Sequence, residues 1–306
     1  MISKLKKFTV NNEKIHVPEG IGFNEKEDEL ILTMKQGGIN ANMQENRASF
    51  EAWALLGKAK GYKNVTLELE KNVIIDKEKH YNRFLYRVYN FDKLFDWFSV
   101  STDLEERVNK FEKKYLDDKD LVYNIPDSDA KLNPEHPEAK MEEYFTTHKD
   151  VTNKKLGLDV KKYYSQLPVG VFKGKKSNAT RVFTGGKSAI DFWGITEDIL
   201  NIVELKAKDN KSLGVLSELF FYICLMRDFH VKSHRIAKPC KETSKYRGFD
   251  QIMSTEIKHI KGHILTEQIH PLLEIAYEEL KKANKKDKTI IFADKVVQYD
   301  SNKLLK

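Results

Sequence analysis

Two short apolar runs in the second half of the chain are each interrupted by single charges. One is Ile190-Asp191-Phe192-Trp193-Gly194-Ile195 and the next is Asn201-Ile202-Val203-Glu204-Leu205-Lys206-Ala207. Their branched and aromatic content predicts strands, and residues two apart on a strand share a face. Glu204 and Lys206 therefore project together, while Val203 and Leu205 enter the opposite side. If the first run is the adjacent strand, Asp191 can meet them. A polar connection from Asp209 to Ser212 leads into Leu213 to Met226, too long for an average strand and spaced as a helix packed on a sheet.

The same reading places helices at Met141 to His148 and at Leu158 to Gln166, the second ended by Pro168, with Val169-Gly170-Val171-Phe172 as the first core strand. Ile264 to Leu280 reads as a closing helix, interrupted or capped near Pro271. Thr289 to Ala293 reads as a strand, to which Val296-Val297 adds after a turn. At the other end, Phe8-Thr9-Val10, Lys14 to Val17 and Leu30 to Met34 alternate with turns, a β-rich beginning punctuated by Gly37-Gly38. Asn46 to Lys60 predicts a helix with Phe50, Trp53, Ala54 and Leu56 on one stripe and Gly61 stopping it. Val65 to Leu69 alternates as a strand, and Glu68 and Glu70 read as its solvated face.

Tyr81 to Val100 is dense in aromatics interspersed with Arg83, Arg87 and Lys93. Such a mixture can stack bases, and a core or domain interface explains it more economically. Thr102 with Glu105 forms a capping-box pattern ahead of Leu104, Val108 and Phe111. The proline-bearing stretch from Asn124 to Pro137 is the best boundary. The division expected is an N-terminal α/β lobe over 1–125, a linker and helix over 126–157, and a second domain over 158–306.

Composition narrows the class. The chain has 306 residues and 40% hydrophobic content, enough to build a core. Two cysteines, Cys224 and Cys240, make no disulfide framework, which favours a reducing cytoplasm. The opening Met1 to Lys7 is basic without the apolar core of a secretion signal. No apolar run approaches the roughly eighteen residues needed to cross a bilayer, so no membrane partner is expected. Histidines 230, 234, 259, 263 and 270 lack zinc-ligand or H-E-x-x-H spacing, and Gly185-Gly186 lacks the rest of a phosphate loop.

The formal charge of +7 favours polyanions only weakly; its distribution says more. Lys161, Lys162, Lys173, Lys175, Lys176, Arg181 and Lys187 precede Ile190 with no acid among them. Of these, Lys173, Lys175, Lys176, Arg181 and Lys187 are the candidate nucleic-acid contacts, since phosphate attraction supplies most non-specific affinity. A soluble hairpin loop around Lys173 to Asn178 is the plainer alternative. Charges within otherwise buried strands also need a reason, because burial without a partner costs several kcal/mol. A divalent cation on Asp191 and Glu204 would supply one: hard oxygen ligands suit Mg2+ or Mn2+, and Lys206 could orient an attacking water. Alternatively Glu204 and Lys206 face solvent at a strand end and merely pair.

The order of acidic strand, short connection, Glu204-Leu205-Lys206 strand and helix resembles the PD-(D/E)xK phosphodiesterase superfamily, the fold of many restriction and repair nucleases. The resemblance covers about residues 159–229. Asp191 with Glu204-Leu205-Lys206 carries it, supported by Glu218 and Tyr222 on the following helix. Two positions depart from the family's pattern: Glu218 stands where glutamine is frequent, and Ile190 where the motif's name has proline. The resemblance implies a restriction-endonuclease-like α/β core: a helix, three strands, a helix and a further strand, forming a mixed sheet flanked by helices.

It further implies Mg2+- or Mn2+-dependent hydrolysis with Asp191, Glu204 and Lys206 as the catalytic set. A third metal ligand would come from the helix before the first strand. Asp159 is nearest in position; Glu142 and Glu143 are more distant. The expected partner is nucleic acid, DNA ahead of RNA, and a homodimer is compatible with this reading. A non-catalytic nucleic-acid-binding or assembly protein on the same fold is the alternative.

Overall fold

The structure is a computed structural model that describes residues 9–10, 13–14, 17–183, 188–208 and 212–305. Phe8, Ile15, His16, Lys187 and the Asp209 to Lys211 connection lie outside the described residues. The fold is α/β, with mixed sheets flanked by helices. Two compact units divide the chain: Met1–Leu116 with Ser212–Glu218 and His270–Lys286, and Asp117–Lys211 with Leu219–Ile269 and Asp287–Lys306.

In the first unit, strands β1 (Ile21–Glu25), β2 (Glu29–Met34), β3 (Asn64–Leu69) and β4 (Phe98–Val100) form a sheet in that order. The β1–β2 pair is an antiparallel hairpin, and the next two pairs are parallel. Parallel neighbours need crossovers, and helices α1 (Phe50–Ala59) and α2 (Glu78–Leu94) supply them. Leu30, Leu32, Val65 and Leu67 are fully buried beneath α1. Gly57 allows that approach: a Cβ there would stand 2.5 Å from the Leu30 side chain. Tyr81, Phe84, Tyr86 and Phe91 of α2 are core residues, with Phe84 and Phe91 edge-on to Phe50. Helix α3 (Thr102–Phe111) follows β4.

In the second unit, β5 (Leu121–Tyr123) precedes α4 (Pro137–Thr147), α5 (Lys149–Leu156), β6 (Tyr163–Pro168) and β7 (Val171–Lys173). Then come β8 (Ala189–Thr196), β9 (Ile199–Lys206), α6 (Gly214–His230), β10 (His259–Thr266), β11 (Ile290–Phe292) and β12 (Val297–Gln298). The main sheet runs β6-β8-β9-β10-β11, with β12 also on β10. Its first two pairings are antiparallel and those of β10 are parallel. Phe192, Val203 and Leu205 pack on one face with Met141 and Phe145 of α4. On the opposite face Leu219 and Ile223 of α6 close over Gly262, which pairs with Ile202.

Three expected elements differ. Leu158 to Gln166 is not a helix: α5 ends at Gly157, whose φ of 65° is the left-handed stop that glycine tolerates, and the chain continues as β6. Val171–Lys173 is not the first core strand, since it pairs with Leu121–Tyr123 in a separate three-stranded sheet. The expected helix from Ile264 is a parallel strand up to Thr266 and a helix only over Leu273–Leu280. A strand covered on both faces is continuously apolar, so its pattern imitates a buried helix.

Candidate active site

The central strands β8 and β9 part company halfway along. Their ladder runs from Thr196↔Ile199 to Phe192↔Val203 and stops there, although both strands continue. Beyond that point β8 remains paired with β6 through Ile190↔Leu167 and Ala189↔Pro168. Likewise β9 stays with β10 from Glu204↔Ile264 to Lys206↔Thr266. Asp191 and Glu204 are the first residues past the last rung on each side. A fork in mid-sheet strands backbone donors, and each buried one needs a partner. Asp191 provides it, its Oδ2 accepting from the Leu205 amide at 2.7 Å.

Glu204 and Lys206 lie on one face, as period two requires, and they are buried rather than solvent-facing, at 2% and 5% exposure. Lys206 Nζ stands 2.5 Å from Glu204 Oε1. The alternative of a solvent-facing pair is therefore excluded; the charges sit inside the sheet and compensate each other.

From the α4 side comes a further carboxylate. Glu142, 4% exposed, accepts from Gln166 Nε2 at 2.7 Å, and its other oxygen is buried with no well-formed hydrogen bond. Burial first, then the neighbouring Asp191 charge, pushes this carboxyl up to about 8, so it keeps its proton at neutral pH. One turn earlier, Glu138 Oε1 accepts from the Ala207 amide at 3.3 Å. Tyr299 donates to the Lys206 carbonyl at 3.2 Å. Burial and the charges of Glu267, Glu138 and Asp191 raise its phenol. Glu142 is thus the helix-borne carboxylate beside Asp191, whereas Asp159, nearest in sequence, is exposed in the segment after Gly157.

Gln166 is held from behind. Its φ of 56° is left-handed, and Arg247, itself at φ 53°, donates to its carbonyl at 2.9 Å and to Ser128 O at 3.0 Å. Such conformations cost about 1–3 kcal/mol each and persist only where surroundings fix them. No sequence pattern announced Gln166 or Arg247, because the partners of their side chains, Glu142 and the Gln166 carbonyl, are distant along the chain.

Of the supporting residues, Glu218 is buried in the first unit and accepts from Gln44 Nε2, and Tyr222 is buried in the second. The basic tract is less free than its sequence implied. Lys173 pairs with Asp118 at 2.8 Å and Lys176 with Asp127 at 3.1 Å, acids brought from earlier in the chain. Lys175 is exposed, and Arg181 is half-buried and bonded to Asn178. Among the described residues no three metal-ligating side chains converge as a preformed cluster. The carboxylates nearest the fork are Asp191, Glu204 and Glu142, the last with a buried, poorly bonded Oε1. No helix among the described residues is long and apolar enough to cross a membrane. No family model, curated protein or solved structure matches the chain.

Proposed function

We propose that this chain is a metal-dependent nuclease of the PD-(D/E)xK type, hydrolysing phosphodiester bonds in nucleic acid, with DNA as the preferred polymer. The observation that carries the reading is the fork between β8 and β9, which leaves Asp191 and Glu204 flanking a gap with Lys206 buried beside them. The order α4–α5, β6, β8, β9, α6, β10 supports it, being a helix region, three strands, a helix and a further strand.

Asp191 and Glu204, with Glu142 in place of Asp159, would hold Mg2+ or Mn2+, which when bound supplies Lewis acidity at the phosphate. The chain's own groups do the rest. Lys206 orients the attacking water and balances charge growing on the phosphoryl oxygens. Water oxygen bonds to phosphorus, the P–O ester bond breaks, and the departing oxygen takes a proton. Gln166 fixes Glu142, and Asp191 keeps the fork open by occupying the Leu205 amide.

The test is incubation with linear, circular and single-stranded DNA and with RNA, in magnesium, manganese or chelator, alongside Glu204→Gln and Lys206→Ala. Cleavage lost in chelator and in both variants is expected. Cleavage equal in wild type and Glu204→Gln sinks the proposal. A second reading, a binding protein that retains the fold without catalysis, is favoured by the commitment of Lys206 to Glu204 and of Glu218 to Gln44. Metal-independent binding with no cleavage of any substrate selects it.

A further inference from the structure

A cavity of about 720 Å³ opens in the second unit where β9, β10 and β12 end. Lys155, Lys208, Lys303, Gln268, Gln298 and Asn302 line it together with Tyr299, whose hydroxyl bonds the Lys206 carbonyl. The cavity thus adjoins the fork, and Lys208 lies two residues past Lys206. Its two acids are already engaged. Glu267 accepts from the Ser301 hydroxyl at 2.6 Å, and Asp300 caps the turn at Asn302 and pairs with Lys303 at 3.3 Å. Among the described residues no carboxylate stands at ion-pair distance from Lys155 or Lys208. These cations come from separate segments and face one concavity lined with amide donors. The hairpin lysines differ, because Lys173 and Lys176 already have carboxylate partners.

We infer that this cavity is a subsite for a backbone phosphate of the polynucleotide beside the fork, and that Lys155 and Lys208 rather than Lys173 and Lys176 supply most of its binding. The inference rests on the nucleic-acid reading above but not on turnover. Uncompensated lysines on a polyanion release counterions, so each contact appears as close to one unit in the slope of affinity against salt.

The experiment is fluorescence anisotropy of a short labelled DNA duplex and the matching single strand, in chelator, across a salt series. Lys155→Glu with Lys208→Glu is expected to weaken binding at least about tenfold and flatten the salt slope by about two units. Lys173→Glu with Lys175→Glu and Lys176→Glu is expected to change affinity less than about threefold. Lys155 is half-buried and the other four lysines are exposed, and unchanged thermal melting serves as the folding control. Wild-type affinity in the first variant, a larger loss in the second, or no binding of either DNA by the wild type overturns the inference. Weakened binding in the first variant with no cleavage by the wild type keeps the subsite and removes the nuclease. Intact binding in that variant with cleavage lost in Glu204→Gln does the reverse.

Discussion

Arg87–Glu51 in the first unit and Lys206–Glu204 in the second are both deeply buried acid–base pairs, and the two are built differently. In the first, Arg87 grips both oxygens of Glu51 at 3.0 and 2.9 Å, donates to the Ala48 carbonyl at 3.1 Å, and Ser217 adds 2.7 Å to the same carboxylate. Burial raises Glu51 and lowers Arg87, and each opposes the shift of the other. That planar fork, held from several elements, is a scaffold joint. In the second, Glu204 and Lys206 come from one strand and meet through a flexible ammonium, just past the end of the β8–β9 ladder. Desolvating two charges rarely gains stability over apolar residues of the same size. The first pair is explained by its network; the second is the one the nuclease proposal would explain by a ligand.

The widest expected separation is in activity. Glu204→Gln with Lys206→Met removes both charges, and cleavage should fall by about a thousandfold or more. Melting temperature should stay level or rise, because no uncompensated ion is left behind. A collapse in melting with cleavage intact would make this pair a scaffold too. Next is Arg87→Met, which strands Glu51 and should cost about 3 to 5 kcal/mol in denaturant unfolding, with the activity of the folded fraction unchanged. Lost activity in fully folded Arg87→Met would erase the distinction.

The third effect depends on pH. Glu142 binds its proton more tightly folded than unfolded, since its carboxyl is raised from 4.5 to about 8. Its favourable contribution is complete below the unfolded value and is lost as pH rises through the folded one. Glu142→Gln should match wild type near pH 4 and exceed it near pH 9 by a margin on the order of 5 kcal/mol. Parallel melting curves for the two across that range would remove Glu142 from the fork's electrostatics. The smallest effect calibrates strain without charge. At Gly157, φ is 65° with nothing near an added Cβ, so Gly157→Ala should cost about 1 kcal/mol in unfolding and leave the pH profile alone.

The strand pair carrying Asp191, Glu204 and Lys206 was legible because period two is a local property, and α4 and α6 were legible from their apolar stripes. The start of the main sheet was not. Leu158 packs against the core and Val160 and Tyr163 are buried in it, but no local pattern there marks the left-handed stop at Gly157 that ends the helix before them. Ile264 and Leu265 are buried between two layers, where alternation disappears. The carboxylate that folding brings beside Asp191 was hard to rank for a different reason. Asp159 is closer to Asp191 along the chain, but docking of Met141 and Phe145 against Phe192 is what delivers Glu142. The acids that neutralise Lys173 and Lys176 are likewise products of folding that a linear charge count cannot register.

The bond from Leu205 N–H to the Asp191 carboxylate gives the fork an internal gauge. A main-chain amide in the middle of a sheet ordinarily reports the unfolding of that sheet when it trades its proton for deuterium. This one is protected by a side chain, so its exchange follows whatever Asp191 is doing. A ligand that draws the carboxylate away should speed exchange at Leu205 while Val203, one rung inside the ladder, stays slow. The pair of amides therefore measures occupancy of the gap in solution, with no substrate turned over.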